Sequence, residues 1–140
     1  MAHAIFAAEA ARRGLPVRVL SAGVVPGFEG MLAIREARLV CDRRQTPMPK
    51  FISTHISVTD LTEARRLFVM ERDHVNAVSA HARLLPDRVS LLGDFDPQQR
   101  GAEIEDPMGQ ETSAFERCYE RLLECIVHYL DTTHDFDPAA

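Results

Sequence analysis

The sequence predicts an α/β fold, a parallel sheet held between helices in a three-layer αβα arrangement, and two observations carry that expectation. Short apolar runs at residues 17–20, 67–70 and 89–92 have the length of strands, and Leu67-Phe68-Val69-Met70 is continuous, as in strands buried on both faces. Helical patterns separate the runs, and strands that alternate with helices build parallel sheets covered on both sides. At 140 residues the chain reads as one domain over 1–140, with no linker long enough to divide it. That length buries roughly two-thirds of the surface an unfolded chain exposes.

Residues 1–13 are helical on alanine content, and Gly14 with Pro16 supplies the stop. No Ser, Thr, Asp or Asn precedes this helix as a cap, so it reads as cut into rather than begun. Val17-Arg18-Val19-Leu20 alternates and ends in Ser21-Ala22-Gly23, the pattern of a short strand. A second helix is expected from about 31 to 41, after the Pro26-Gly27 loop; Pro47 and Pro49 leave 42–58 without a readable pattern. Thr59-Asp60 can cap a short turn ahead of the run at 67–70. A third helix spans 71–83, ending at Arg83, and Val89-Ser90-Leu91-Leu92 is a strand closed by Gly93. Ser113-x-x-Glu116 has the form of a capping box. The helix behind it places Phe115, Cys118, Tyr119, Leu122, Ile126, Tyr129 and Leu130 on one stripe. The polar tail from Asp131 is expected to fray. In such a fold the first helix leaves a preceding strand, and ligands gather at the carboxyl ends of strands. The loop between that strand and helix would lie ahead of Met1.

A formal net charge of −5 with no broad basic face argues against nucleic acid or an anionic membrane as partner. No apolar run approaches the ~18 residues of a membrane span, and the N-terminus lacks the basic and apolar segments of an export signal. The three cysteines then read as reduced thiols in the cytoplasm. The stretch that carries chemistry is Glu103-Ile104-Glu105-Asp106-Pro107-Met108-Gly109. Pro107 fixes its own φ and biases Asp106 towards an extended backbone, which holds the carboxylate at a loop edge where it can serve as a general acid.

Five stretches in order give the chain its resemblance. Met-Ala-His-Ala-Ile-Phe at 1–6 resembles P-M-A-E-A-I/L-F, and Ser21-Ala22-Gly23 matches D-S-A-G. Phe68-Val69-Met70-Glu71-Arg72-Asp73-His74 resembles I/L-x-V-M-D/E-x-x-H/N, and Leu91-Leu92-Gly93-Asp94-Phe95 resembles L-L-G-E/D-F. Ile104-Glu105-Asp106-Pro107-Met108-Gly109 resembles I/V-x-D-P-Y/F/I-G. Together they are similar to the low-molecular-weight protein-tyrosine-phosphatase family, which includes bacterial arginine phosphatases and arsenate reductases, over nearly the whole chain.

That resemblance implies a four-stranded parallel sheet of order 2-1-3-4 and hydrolysis of a phosphomonoester through a cysteinyl phosphate, with no cofactor and no metal. It implies Asp106 as general acid, Met108 at the position of an aromatic that contacts phosphotyrosine, and Ser21 as support for a phosphate loop. The partner implied is a phosphorylated protein, carrying phosphotyrosine first and phosphoarginine second. The family loop reads Cys-x5-Arg-Ser/Thr, and no cysteine fits it: six residues beyond Cys41, Cys118 and Cys125 stand Pro47, Glu124 and Asp131. The expectation is a sequence that starts late, without the first, central strand and the loop after it. It would be inactive as written, and molten, aggregation-prone or dimerised through the exposed sheet gap. A non-catalytic binding or regulatory protein on the same scaffold is the alternative; arsenate reduction is a third reading, weakened because the reductase cysteine pair precedes the Asp-Pro turn whereas Cys118 and Cys125 follow it.

Several residues have plainer readings. Asp-Pro recurs at 96, 106 and 137 and usually marks only a turn, and Ser21 can end a strand by bonding local backbone. Cys118 and Cys125 are separated by ~10 Å of helical rise, too far for a disulfide. Both read as core residues. His74 and His81 share a helix face without a third ligand. His55 lies near a family histidine that braces the phosphate loop, but at the wrong spacing, and Arg43-Arg44 reads as solvated surface.

Overall fold

The computed structural model describes residues 1–48, 52–61, 63–82 and 86–136, with the backbone alone at 81, 82 and 86. The helices are α1 (Ala2–Arg12), α2 (Arg35–Arg43), α3 (Arg72–Ala82) and α4 (Thr112–Thr132). The strands are β1 (Leu67–Val69) and β2 (Val89–Leu91), and single 3-10 turns occupy Ile56–Val58, Pro86–Arg88 and Leu92–Phe95. The expected break at Pro49, the helix end at Arg83 and the Asp-Pro at 137 lie outside the described residues.

β1 and β2 pair in parallel, with Leu67 opposite Val89, Phe68 opposite Ser90 and Val69 opposite Leu91. Side chains alternate across a strand, and here the alternation separates two cores. Leu67, Val69, Val89 and Leu91 join Ile56, Val75 and Val78 on the α3 side. Phe68 points the other way, into a larger cluster built from Ile5 of α1, Val40 and Cys41 of α2, and the stripe of α4. These are the three layers the alternation of strands and helices predicts.

The strand expected at 17–20 keeps its periodicity without a ladder. Val17 and Val19 are half-buried between exposed Arg18 and Leu20, yet no described residue pairs with them. A central strand between that segment and β1, which the resemblance implies, is absent among the described residues.

Local chemistry explains the other element ends. α1 closes in a Schellman motif: the Leu15 amide donates to the Ala10 carbonyl and the Gly14 amide to that of Ala11, at 3.0 Å each. Gly14 takes φ +66°, the left-handed conformation the motif requires. The helix expected from 31 begins only at Arg35, because the stretch ahead of it is drawn into hydrogen bonds with 52–53. Ser53 N donates to Met31 O at 2.9 Å, and Leu32 bridges Ile52 in antiparallel fashion. Thr59 caps the C-terminus of the 3-10 turn at Ile56–Val58 instead of starting a new one.

No capping box forms on α4. The helix starts at Thr112, so Ser113 lies inside it and donates to Glu111 Oε1 at 2.7 Å. Glu116 faces Arg43 and Arg44, each 3.5 Å away, and Arg44 also pairs with Glu120 and sits 5.5 Å from the centre of the Tyr119 ring. Both arginines are exposed, the solvated surface expected of them, and they bridge α2 to α4. The described part of the tail, 131–136, does not fray. Asp131 pairs with Arg13 at 2.9 Å, and Asp135 Oδ2 accepts from Tyr129 Oη and Arg66 Nε at 2.7 Å each. Tyr129 sits in an aromatic cluster with Phe6, Phe68, Phe95 and Phe136. Within the stretch that had no readable pattern, buried Thr46 shares a 2.8 Å hydrogen bond with the Tyr119 hydroxyl.

Candidate functional site at the first turn of α1

Asp106 sits on a turn whose stem is fixed and whose tip is open. Ile104 is buried and its amide donates to Met70 O at 3.0 Å, which ties the stem to the residue after β1. Pro107 is buried, whereas Asp106 and Met108 are exposed, Met108 by 54%. Asp106 Oδ1 accepts from the Met108 amide at 2.9 Å, an Asx turn that orients the carboxylate by local backbone. The Gln110 amide then donates to Pro107 O at 3.0 Å, with Gly109 at φ +81° in the third position, as a type II turn demands.

Two further bonds hold that stem. The Glu103 carboxylate accepts from the Arg72 amide at 2.7 Å, at the start of α3, and the Glu103 carbonyl accepts from Arg121 Nη1 at 2.7 Å. Arg121 Nε in turn donates to Asp96 Oδ2 at 2.9 Å. Asp96 is buried, and its Oδ1 accepts from the Gln98 and Gln99 amides at 2.8 Å each. Burial works to raise the Asp96 pKa, but those amides and Arg121 outweigh it and hold the carboxyl below its ordinary range.

Ser21 lies on the other side of the same helix end. Its Oγ is 3.1 Å from His3 Nδ1 in the first turn of α1, and its carbonyl accepts from Thr54 Oγ1 at 3.3 Å. The segment after it is stitched to 54–56: Gly23 N donates to Thr54 O at 2.8 Å and Ile56 N to Gly23 O at 2.9 Å. His55 caps the 3-10 turn that follows by accepting from the Ser57 amide, and its Nε2 lies 3.3 Å from Val24 O. Burial lowers the His3 pKa, and the Met1 amino group adds to that shift.

Met1 joins the two sides. Burial lowers the pKa of its amino group, while Cys41, Cys118 and Asp106 act electrostatically in the opposite direction. Ser21 thus meets the first turn of α1 through His3, and Asp106 acts electrostatically on the amino group that precedes that turn, at a helix end where unbonded backbone N–H groups favour an anion. Met108 shares the Asp106 turn. Cys41 is fully buried and Cys118 half-buried; burial raises both thiol pKa values, which makes them poor thiolates. Among the described residues no group of three or more His, Cys, Asp or Glu could hold a metal, and no helix is long and apolar enough to cross a membrane.

Sequence reasoning gave no role to His3, Glu103 or Asp96 and did not single out Arg121. A signal existed for His3, which stands where the resembled pattern has glutamate. None existed for Arg121, whose partners are distant in sequence.

A family model described as low molecular weight phosphotyrosine protein phosphatase matches residues 1–134. The tyrosine phosphatase amsI of Erwinia amylovora superposes with a TM-score of 0.82 at 20% identity, covering 95% of this chain and 83% of that one. The low molecular weight protein tyrosine phosphatase of T. tengcongensis gives 0.83 at 22%, covering 94% and 88%. A YwlE arginine phosphatase mutant with a phosphorylated active-site serine gives 0.80 at 21%, covering 97% and 90%. No curated protein sequence matches the chain.

Proposed function

Because the chain belongs to the low molecular weight phosphotyrosine protein phosphatase family, we propose that Asp106 is the general acid of a phosphomonoester hydrolysis that runs through a cysteinyl phosphate. In that reaction a thiolate attacks phosphorus, the S–P bond forms as the P–O bond to the leaving group breaks, and Asp106 donates the proton that the departing oxygen needs. Asp106 then takes a proton from the water that attacks the phosphocysteine, which releases phosphate and restores the thiolate. Ser21 supports the phosphate-binding loop, and Met108 contacts the organic part of the substrate from the open face of the same turn. The substrate is a phosphorylated protein, phosphotyrosine first and phosphoarginine second; arsenate reduction is the weakest option, since Cys118 and Cys125 follow the Asp-Pro turn.

One observation carries the reading: Ser21 bonds His3 in the first turn of α1, and the Asp106 carboxylate is felt by the amino group ahead of that turn, where backbone N–H groups would face a phosphoryl group. No cysteine of these 140 residues has an arginine six residues on, so none supplies the nucleophile with its arginine. The 140-residue chain alone should therefore leave p-nitrophenyl phosphate untouched. Joined to a strand and Cys-x5-Arg loop ahead of Met1, it should gain turnover in which Asp106→Asn lowers the rate by about 10²–10⁴-fold for alkyl and phenyl esters, and far less for p-nitrophenyl phosphate. Equal losses for good and poor leaving groups would remove Asp106 from the acid role. Turnover by the short chain that vanishes in Asp106→Ala would overturn its inactivity.

The missing cysteine-arginine pairing favours a second reading, a non-catalytic binding protein on the phosphatase scaffold. Retention of a phosphotyrosine peptide by the short chain, without hydrolysis, would support it. We also infer that β1 offers a second copy the edge that faces away from β2.

A further inference from the structure

The geometry around α4 points to Arg121 as a positioning residue for the Asp106 turn, an inference that rests on the reading of Asp106 as the acid. Arg121 spans from a fixed anchor to the stem of the loop. The anchor is Asp96, only 5% exposed and already gripped by the amides of Gln98 and Gln99. From there Arg121 Nε donates to Asp96 Oδ2 at 2.9 Å, and Nη1 donates to Glu103 O at 2.7 Å. The third nitrogen, Nη2, is buried with no partner. A buried guanidinium nitrogen left without an acceptor is costly, and such a group in a folded chain needs a reason. The direction of the side chain accounts for it: the orientation that reaches both Asp96 and the Glu103 carbonyl leaves Nη2 without an acceptor.

The loop beyond Glu103 inherits that geometry. Arg72 binds the Glu103 carboxylate from α3, Met70 accepts from the Ile104 amide beyond β1, and Arg121 holds the intervening carbonyl from α4. Three elements thus fix two consecutive residues. The buried residues Ile104 and Pro107 carry the constraint to Asp106, whose carboxylate is then set by its own bond to the Met108 amide. Of the three tethers only Arg121 comes from the helix that also carries the core stripe, so it references the acid to the body of the molecule. Displacement of a reacting group by about 1 Å can cost 10²-fold in rate, so a tether of this kind matters to the proposed chemistry.

The test is amide hydrogen exchange by NMR on the 140-residue protein, comparing the wild type with Arg121→Gln. The Ile104 and Met108 amides should exchange about tenfold faster in the variant, and the Met108 resonance should move towards its position in Asp106→Asn. Val78 in α3 and Ile126 in α4 should keep their protection. Asp96→Asn, which retains the acceptor for Gln98 and Gln99 but weakens the anchor, should give the same local change to a smaller extent. Arg121→Lys should fail to restore protection, because one ammonium cannot span both acceptors. Unchanged exchange at Ile104 and Met108, equal loss at Val78 and Ile126, or full restoration by lysine would each overturn the proposal. Exchange reads the loop without turnover. If the leaving-group test fails while the exchange result holds, the acid role falls and the tether stands; the reverse outcome removes the tether alone.

Discussion

At Gly93 the backbone passes so close to Ala102 that a β-carbon would lie 1.7 Å from its carbonyl oxygen and 2.9 Å from its carbonyl carbon. Gly101 N also donates to Gly93 O at 2.8 Å, so the two stretches cannot move apart without loss of that bond. Gly93→Ala should therefore cost at least ~2 kcal/mol, the scale of forced overpacking, and urea unfolding should show a lower midpoint. A stability within error of wild type would mean the 93–102 contact is looser than described. Residues of this kind differ in how far the sequence discloses them. The turn at Asp106 was legible because Pro107 beside it restricts the backbone locally, and Gly93 was legible as the end of a strand though not as the point of contact with Ala102. Arg121 and Asp96 were not, since their relation spans 25 positions and exists only once α4 has docked against the loop.

The helix ends make the corresponding point for elements. The body of α4 was readable from periodicity, because burying one stripe is a local pattern with a global cause. Its start was not: Ser113 and Glu116 have capping spacing, but Glu116 finds Arg43 and Arg44 across the α2–α4 contact instead. The tail was misread for the same reason, since the partners of Asp135 come from residues 66 and 129. Hydrogen bonds from Arg66 hold the Asp135 carboxyl below its ordinary range against the opposing effect of burial, with help from the Tyr129 hydroxyl. Burial, with the Asp135 bond behind it, pushes Tyr129 up to about 12. A carboxyl whose pKa is depressed in the folded state adds stability that is complete above the unfolded value, ~3.9, and fades as pH falls through the folded value. Asp135→Asn should thus be less stable than wild type at pH 7, and chemical denaturation should show the gap narrowing on the acid side. A gap that stays constant from pH 7 to pH 2 would exclude the carboxylate as its source.

For the molecule as a whole, the alternation of strands and helices was enough to give the three layers, since each layer is what a one-sided apolar surface must find. What the pattern could not supply was pairing: 17–20 has strand periodicity, yet a ladder needs a neighbour. β1 likewise has β2 on one side only among the described residues, and backbone groups on an unpaired edge invite association with another chain. Amides of β1 should exchange faster than those in the middle of α4, and sedimentation should reveal a concentration-dependent dimer. Slow exchange throughout β1 in a monomer would show that edge to be closed. The chain also contains no tryptophan and only two tyrosines, Tyr119 and Tyr129, both fully packed inside. Its near-ultraviolet light therefore comes from two rings on one face of one helix, one hydrogen-bonded to Thr46 and stacked under Arg44, the other ringed by phenylalanines. Intrinsic tyrosine emission should follow the seating of α4 against the core, from the inside of the molecule.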